Sequence, residues 1–140
     1  MATTTAPAYT PSLPRGQRLP FLLQALAATL VASAATMTVA ATGKAAGVSL
    51  DVSGAPIPVS GFAVLTAICS AIGLVLAAVL ARWAARPRRT FVRATVALTA
   101  LSLVPDLVAD AAWPTRALLM LTHLVAAAVV IPTVAARLRA

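Results

Sequence analysis

The chain has 140 residues, of which 61% are hydrophobic and 10% are charged, and its mean hydropathy is +0.95. Soluble domains carry roughly 45–50% apolar and about 25% charged residues, so this composition excludes a water-soluble enzyme, a disulfide scaffold and a disordered protein. A transmembrane helix needs about 20 apolar residues, and the hydrophobic fraction is therefore large enough for four membrane spans.

The first predicted elements are a short tail and a first span. Residues 1–19 are rich in Thr, Pro and Ala, which predicts a disordered tail. Pro20 suits the first position of a helix, where its missing N–H costs nothing, so the first span is predicted over 21–42. The alternative is a cleaved signal peptide with Arg15 and Arg18 as its basic region. Its apolar run of about 20 residues is long for a signal peptide, which favours a retained helix.

A connection rich in Gly and Pro separates the first two spans. Residues 43–60 are predicted to form an external loop with a short extended piece in Gly47-Val-Ser-Leu-Asp-Val. The second span is predicted over 61–83, with Trp83 at the membrane interface as in aromatic belts. Arg86-Pro-Arg-Arg then predicts a turn so short that the second and third spans must be adjacent and antiparallel.

The third and fourth spans complete the predicted fold. The third, over 90–108, is the least regular, because Pro105 and Asp106 are expected to interrupt its outer end. An external turn precedes the fourth span, which is predicted over 115–136. Residues 20–139 are thus predicted to form an all-α domain, an integral membrane four-helix antiparallel bundle.

The positions of the charges predict the orientation of the bundle. Eleven basic and three acidic residues give a net charge of +8, which in a soluble protein would suggest nucleic acid as a partner. Nine of the eleven basic residues, however, lie on one side of the four-span arrangement. By the positive-inside rule, both termini are predicted to be cytoplasmic. No nucleic-acid partner is expected.

Five arginines surround the connection between the second and third spans. Their position gives a topology signal, and they are also candidates for contact with anionic lipid headgroups: Arg82, Arg86, Arg88, Arg89 and Arg93.

The chain offers few groups for cofactor chemistry or catalysis. Its single cysteine, Cys69, lies in the second span, so no internal disulfide can form and the residue is interpreted as a packing residue. A metal site needs three or four ligands in a defined geometry, and the chain has one histidine and three acidic residues. No metal, no cofactor and no enzymatic activity are predicted.

Three ionisable residues near the outer side of the bundle form the candidate intramembrane polar site. Asp106 and Asp110 are four residues apart and share a helical face if the helix continues through both. His123 lies about 10 Å into the fourth span, counted from Arg116. An ionisable group within a membrane is a functional hypothesis by default, and these three could bind a cation or relay a proton because histidine changes charge near neutral pH.

The alternative interpretation of the same residues is structural. Asp106 would then cap a helix end or turn, Asp110 would pair with Arg116, and His123 would bond to a carbonyl or to Asp106 and so hold two helices together. Sequence reasoning favours this structural interpretation.

Several segments together resemble a known family. They are Arg89-Thr-Phe-Val-Arg through Ser102-Leu-Val-Pro-Asp106, Leu121-Thr-His-Leu through Ile131-Pro132, Gly47-Val-Ser-Leu-Asp-Val, and Pro-Ile-Pro-Val before the second span. Over residues 20–139 the chain is similar to a family of small four-span membrane proteins of high-GC Gram-positive bacteria, a domain of unknown function. The resemblance implies the four-span fold and a location in a bacterial plasma membrane. It draws attention to Asp106 and His123, and it implies no activity, substrate or cofactor.

Three classes of function follow from these observations. The favoured one is a structural or accessory bundle that binds itself or another membrane protein. The alternative is a small transporter or a proton- or cation-binding unit that uses Asp106 and His123. An intramembrane enzyme is disfavoured, because the sequence offers no pair of nucleophile and base.

Overall fold

The computed structural model describes residues 15–139, with side chains described from Leu22 onward. It contains four helices and a small hairpin: α1 (Arg15–Ala45), β1 (Asp51–Val52), β2 (Ala55–Pro56), α2 (Val59–Trp83), α3 (Pro87–Val108) and α4 (Trp113–Ala135). Each helix contains a stretch of 22 to 25 residues that is long and apolar enough to cross a membrane. The prediction of an all-α membrane protein with four spans is therefore confirmed.

The helices begin earlier than the sequence analysis placed them. α1 starts at Arg15, so Pro20 lies inside the helix and not at its first position, while residues 1–14 of the predicted tail lie outside the described residues. Arg, Gln and Leu in this stretch favour helix, and Pro20 removes only one backbone hydrogen bond. α3 and α4 start at Pro87 and Trp113, with a proline among their first two residues, where proline is tolerated.

The helices form a ring in chain order. α1 packs along α2 and α4, and α3 packs against α4 and less extensively against α2. The α2–α3 connection spans residues 84–86 and the α3–α4 connection spans 109–112, so these neighbours are antiparallel. We call the end that holds residues 46–58 and 109–112 the hairpin end, and the end that holds residues 84–86 and 136–139 the arginine end.

Two apolar clusters hold the bundle together, one at each end. At the hairpin end the buried residues are Ala40, Leu50, Phe62 and Leu118. At the arginine end they are Ala77, Phe91, Val134, Ala135 and Leu138. Small and hydroxyl-bearing residues occupy much of the region between the clusters, where helix packing depends on close approach and on hydrogen bonds.

Hydroxyl groups connect α1 and α2 in this middle region. The Thr36 and Thr66 hydroxyls are 2.9 Å apart and hydrogen-bonded, and both residues are buried. The Ser33 hydroxyl donates to the Ala63 carbonyl oxygen across the same interface. Hydroxyl groups therefore form hydrogen bonds between α1 and α2 in this region.

The hairpin is fastened to the α3–α4 connection. Its two-residue turn, Ser53-Gly54, has positive φ values of 51° and 76°, the geometry of the tight turns that join antiparallel strands. The Ser53 N–H donates to the Asp110 carbonyl oxygen at 2.8 Å, and the Thr115 hydroxyl donates to the Ser49 carbonyl oxygen. The short extended piece expected in this loop is thus a hairpin that ties three parts of the chain together.

Candidate functional site

Asp106 and His123 come together between α3 and α4. Asp106 lies two residues before the end of α3, and His123 lies ten residues after the start of α4. Because the two helices are adjacent and antiparallel, the side chains meet, and Asp106 Oδ2 lies 2.9 Å from His123 Nδ1. The Asp106 side chain is 12% exposed and the His123 side chain is 39% exposed, so the carboxyl group is the more deeply placed of the two.

The same histidine nitrogen also contacts the backbone. His123 Nδ1 lies 3.1 Å from the Leu119 carbonyl oxygen, one turn earlier in α4. Since a carbonyl oxygen can only accept, Nδ1 must carry the proton in this hydrogen bond. Asp106 Oδ2 has no well-aligned hydrogen bond among the described residues, although it is buried and close to Nδ1. His123 Nδ1 therefore lies within contact distance of both the Leu119 carbonyl oxygen and the Asp106 carboxyl group.

Asp110 is not part of this pair. α3 continues through Pro105 but ends at Val108, and Ala109 is extended, so Asp106 and Asp110 do not share a helical face. Asp110 is exposed and contributes its backbone carbonyl oxygen to the hairpin. The expected convergence of three ionisable groups is thus reduced by the structure to two.

Arg116 binds the carboxyl end of α3 and not the Asp110 side chain. Its guanidinium group donates from Nε to the Ala111 carbonyl oxygen at 2.9 Å and from Nη1 to the Leu107 carbonyl oxygen at 3.1 Å. The last carbonyl groups of a helix have no partner within the helix and carry partial negative charge. In the described part of the chain, the arginine therefore acts as a cap for α3, which corrects the expected Asp110–Arg116 pair.

The five candidate headgroup-contacting arginines lie at or near the arginine end. Arg82 is in the last turn of α2, Arg86 precedes α3, and the others lie in the first turns of α3. All five side chains are exposed: Arg82, Arg86, Arg88, Arg89 and Arg93.

A cavity lies beside the Asp106–His123 pair, between α2, α3 and α4. Its volume is about 260 Å³, and it is open to the outside of the bundle. Ser70 and Gly73 line it from α2, Thr99 and Ser102 from α3, and His123 from α4. A Cβ atom added at Gly73 would meet nothing within 4 Å, which shows how loosely α2 packs there.

This cavity was not predicted from the sequence. Hydroxyl-bearing residues line it from α2 and α3, and in membrane bundles such residues are typical of ordinary contacts between helices. The Thr95, Thr99 and Ser102 hydroxyls do bond to carbonyl oxygens of their own helix. The signal in the sequence was therefore present, but nothing in it distinguishes a packed interface from an open one.

The site is suited to hydrogen bonding and proton binding. His123 Nδ1 is engaged with Leu119 and Asp106, whereas Nε2 has no hydrogen-bond partner within the described residues. No group of three His, Cys, Asp or Glu side chains that could hold a metal ion occurs in the part of the chain that the structure describes.

These features define a multi-pass membrane bundle in which Asp106 and His123, within the described residues, form an ionisable pair between two helices. The chain belongs to a family of unknown function (DUF6069), whose model matches residues 17–140. No curated protein and no solved structure matches the chain. The family match confirms the expected membership of an uncharacterised family and adds no activity to it.

Proposed function

We propose that the protein is a non-enzymatic accessory bundle of the bacterial plasma membrane that associates through α1 with a second copy of itself or with another membrane protein. The resemblance to proteins of high-GC Gram-positive bacteria supports the choice of membrane. Nucleic acid has no role in this proposal, because the basic residues group by membrane side.

The observation that carries this proposal is a regular row of residues, here called the α1 seam, on the face of α1 that points away from the other helices. Large and small residues alternate along it at steps of four and three, and all of them are exposed: Leu23, Ala27, Leu30, Ala34, Met37 and Ala41. Successive seam positions are on average 3.5 residues apart, which is the heptad spacing that keeps two helices in contact along their length. Small residues at such positions allow transmembrane helices to approach closely, which is the main source of their association.

Photo-crosslinking in the membrane tests this seam. A photoreactive residue at Ala34 is expected to give adducts with a second copy or with another membrane protein. Ala97 provides the matched control, since it is an exposed alanine near the middle of α3 and should give no comparable adducts. Ala41→Leu should lower the Ala34 yield at least about fivefold, because a larger side chain prevents close approach. Equal yields at Ala34 and Ala97, or no adducts at Ala34, would contradict the proposal.

The charge distribution supports a cytoplasmic location for both termini. The arginine end carries exposed basic side chains that can contact anionic headgroups, each worth about 1 kcal/mol near such a surface. The hairpin end carries Asp51 and Asp110 together with Lys44 and Arg116, so its charges nearly balance. The hairpin end is therefore proposed to face outward.

Labelling of single cysteines tests this orientation. In a Cys69→Ala background, cysteines at Ser53 and Ala111 should react with a membrane-impermeant thiol reagent added to intact cells, since both positions lie at the hairpin end. A cysteine at Ala85, in the exposed α2–α3 connection, should react only after the cells are opened. Labelling at Ala85 in intact cells would overturn the orientation.

A proton- or cation-binding role is the second candidate, and the 2.9 Å contact between Asp106 and His123 is the observation that favours it. Such a role needs an ionisable group that exchanges its proton or ion with the solvent. Proton flux into proteoliposomes tests this role, with Asp106→Asn as the variant that should abolish the flux.

A further inference from the structure

We propose that the cavity between α2, α3 and α4 is a binding site for a lipid-soluble alcohol or phenol of about ten carbon atoms. This site lies on a different part of the bundle from the α1 seam and does not depend on the association proposed for that helix.

The first argument is the unmet hydrogen-bonding capacity of the cavity wall. The Nδ1 proton of His123 is directed at the Leu119 carbonyl oxygen. Nε2 is therefore the ring nitrogen that remains for a ligand, and it has no hydrogen-bond partner among the described residues. The Ser70 hydroxyl also lines the cavity, without a hydrogen bond in the part of the chain that the structure describes. Polar groups inside a membrane protein are nearly always paired, so an occupant with an O–H group would complete the site.

The second argument is the size and composition of the cavity. A cavity of about 150 Å³ lined by apolar side chains binds benzene, so 260 Å³ corresponds to roughly ten carbon atoms by proportion. Leu76, Phe91 and Ile131 line the part of the cavity that lies toward the arginine end of the bundle. The occupant is thus apolar over most of its surface, with its hydroxyl group toward His123.

The third argument is access. The exposed residues Ile72 and Leu98 lie at the rim, on α2 and α3, and these two neighbouring helices pack less extensively than the other neighbours in the ring. The cavity therefore opens sideways, toward the region that lipid chains occupy in a membrane. A ligand that partitions into the bilayer can enter without crossing the polar surfaces of the protein.

Naphthol, with ten ring carbons and one hydroxyl, is a suitable probe, and the chain has a single histidine to report on it. In protein labelled with ¹⁵N-histidine and reconstituted in lipid nanodiscs, naphthol should shift the Nε2 resonance. Naphthalene and methoxynaphthalene, which cannot donate a hydrogen bond, should bind at least about fivefold more weakly, as measured by the shift in melting temperature.

Two variants of α2 localise the binding. Gly73→Leu fills the cavity and should weaken naphthol binding at least about tenfold. Ala71→Leu adds a leucine to the same helix on its exposed side and should leave binding unchanged. The proposal is overturned if naphthol leaves the Nε2 resonance unmoved, if naphthalene binds as tightly, or if Gly73→Leu and Ala71→Leu behave alike. If Gly73→Leu prevents folding, Ser70→Ala takes its place and should weaken binding at least about threefold, and an unchanged affinity then counts against the site.

Discussion

Replacing His123 by alanine is expected to lower the free energy of unfolding by about 2 kcal/mol, because it leaves the buried Asp106 carboxyl group without its partner. Asp106→Asn should cost about 1 kcal/mol, since the amide retains some hydrogen-bonding capacity. The double variant should cost less than the sum of the two, by about 1 kcal/mol, because the residues are in contact. Thermal unfolding in detergent of the parent, both single variants and the double variant measures this coupling.

The exposed Asp110 provides the matched control for this cycle. Asp110→Asn removes a carboxylate near the same end of α3 and should change stability by less than about 0.5 kcal/mol. Additive effects of Asp106→Asn and His123→Ala, each near zero, would show that the pair does not hold α3 to α4.

Proton flux distinguishes the structural role from the alternative. In proteoliposomes loaded with a pH-sensitive dye, a purely structural pair predicts no protein-dependent flux. A proton-binding role predicts flux in the parent that Asp106→Asn abolishes. If the parent protein shows no flux, the proton-relay function is excluded. The stabilising interaction between Asp106 and His123 is measured separately, by the unfolding experiment.

Gly43→Ala is expected to lower the free energy of unfolding by about 1–3 kcal/mol, the usual cost of overpacking. A Cβ atom at Gly43 would overlap the Cδ1 atom of Leu118, which is 7% exposed and belongs to the apolar cluster at the hairpin end. Gly43 therefore permits the close approach of α1 to α4, and the buried leucine has little room to move away. The midpoint of thermal unfolding in detergent reports the effect.

Gly73→Ala is the matched control for Gly43→Ala, since it makes the same change in a helix where the added atom meets nothing. It should be neutral or stabilise by up to about 1 kcal/mol through helix propensity. Combining Gly43→Ala with Leu118→Ala should cost less than the sum of the two single variants, because the obstructing side chain is gone. If Gly43→Ala and Gly73→Ala prove equally harmless, the close contact of α1 with α4 is not important for stability.

The spans were largely predictable because hydropathy and charge position determine them. The end of α2 at Trp83 and the end of α3 at Val108 agree with the predicted boundaries. The helix starts were predicted less well, since a proline near a helix start is compatible with several boundaries. Pro105 was expected to interrupt α3, but the helix continues, as transmembrane helices often do through proline when neighbouring groups compensate for the lost bond.

The candidate site was predictable only in part. Asp106 and His123 could be paired from sequence because they lie on consecutive antiparallel spans. The exclusion of Asp110 depends on where α3 stops, and the role of Arg116 depends on which carbonyl oxygens its side chain reaches. The cavity depends on the rotation and spacing of three helices, which hydropathy does not determine. Hydroxyl-bearing residues such as Thr99 have the same signature in a packed and in an open interface.

The placement of the two apolar clusters has a consequence for the mechanics of the bundle. Phe62 and Phe91 belong to clusters at opposite ends, and the 260 Å³ cavity lies between them. The middle of the bundle is thus less densely packed than its two ends, and hydrostatic pressure favours states in which unfilled space is lost. We therefore expect hydrostatic pressure to change the packing of the middle of α2 and α3 first, while the two apolar clusters keep their packing.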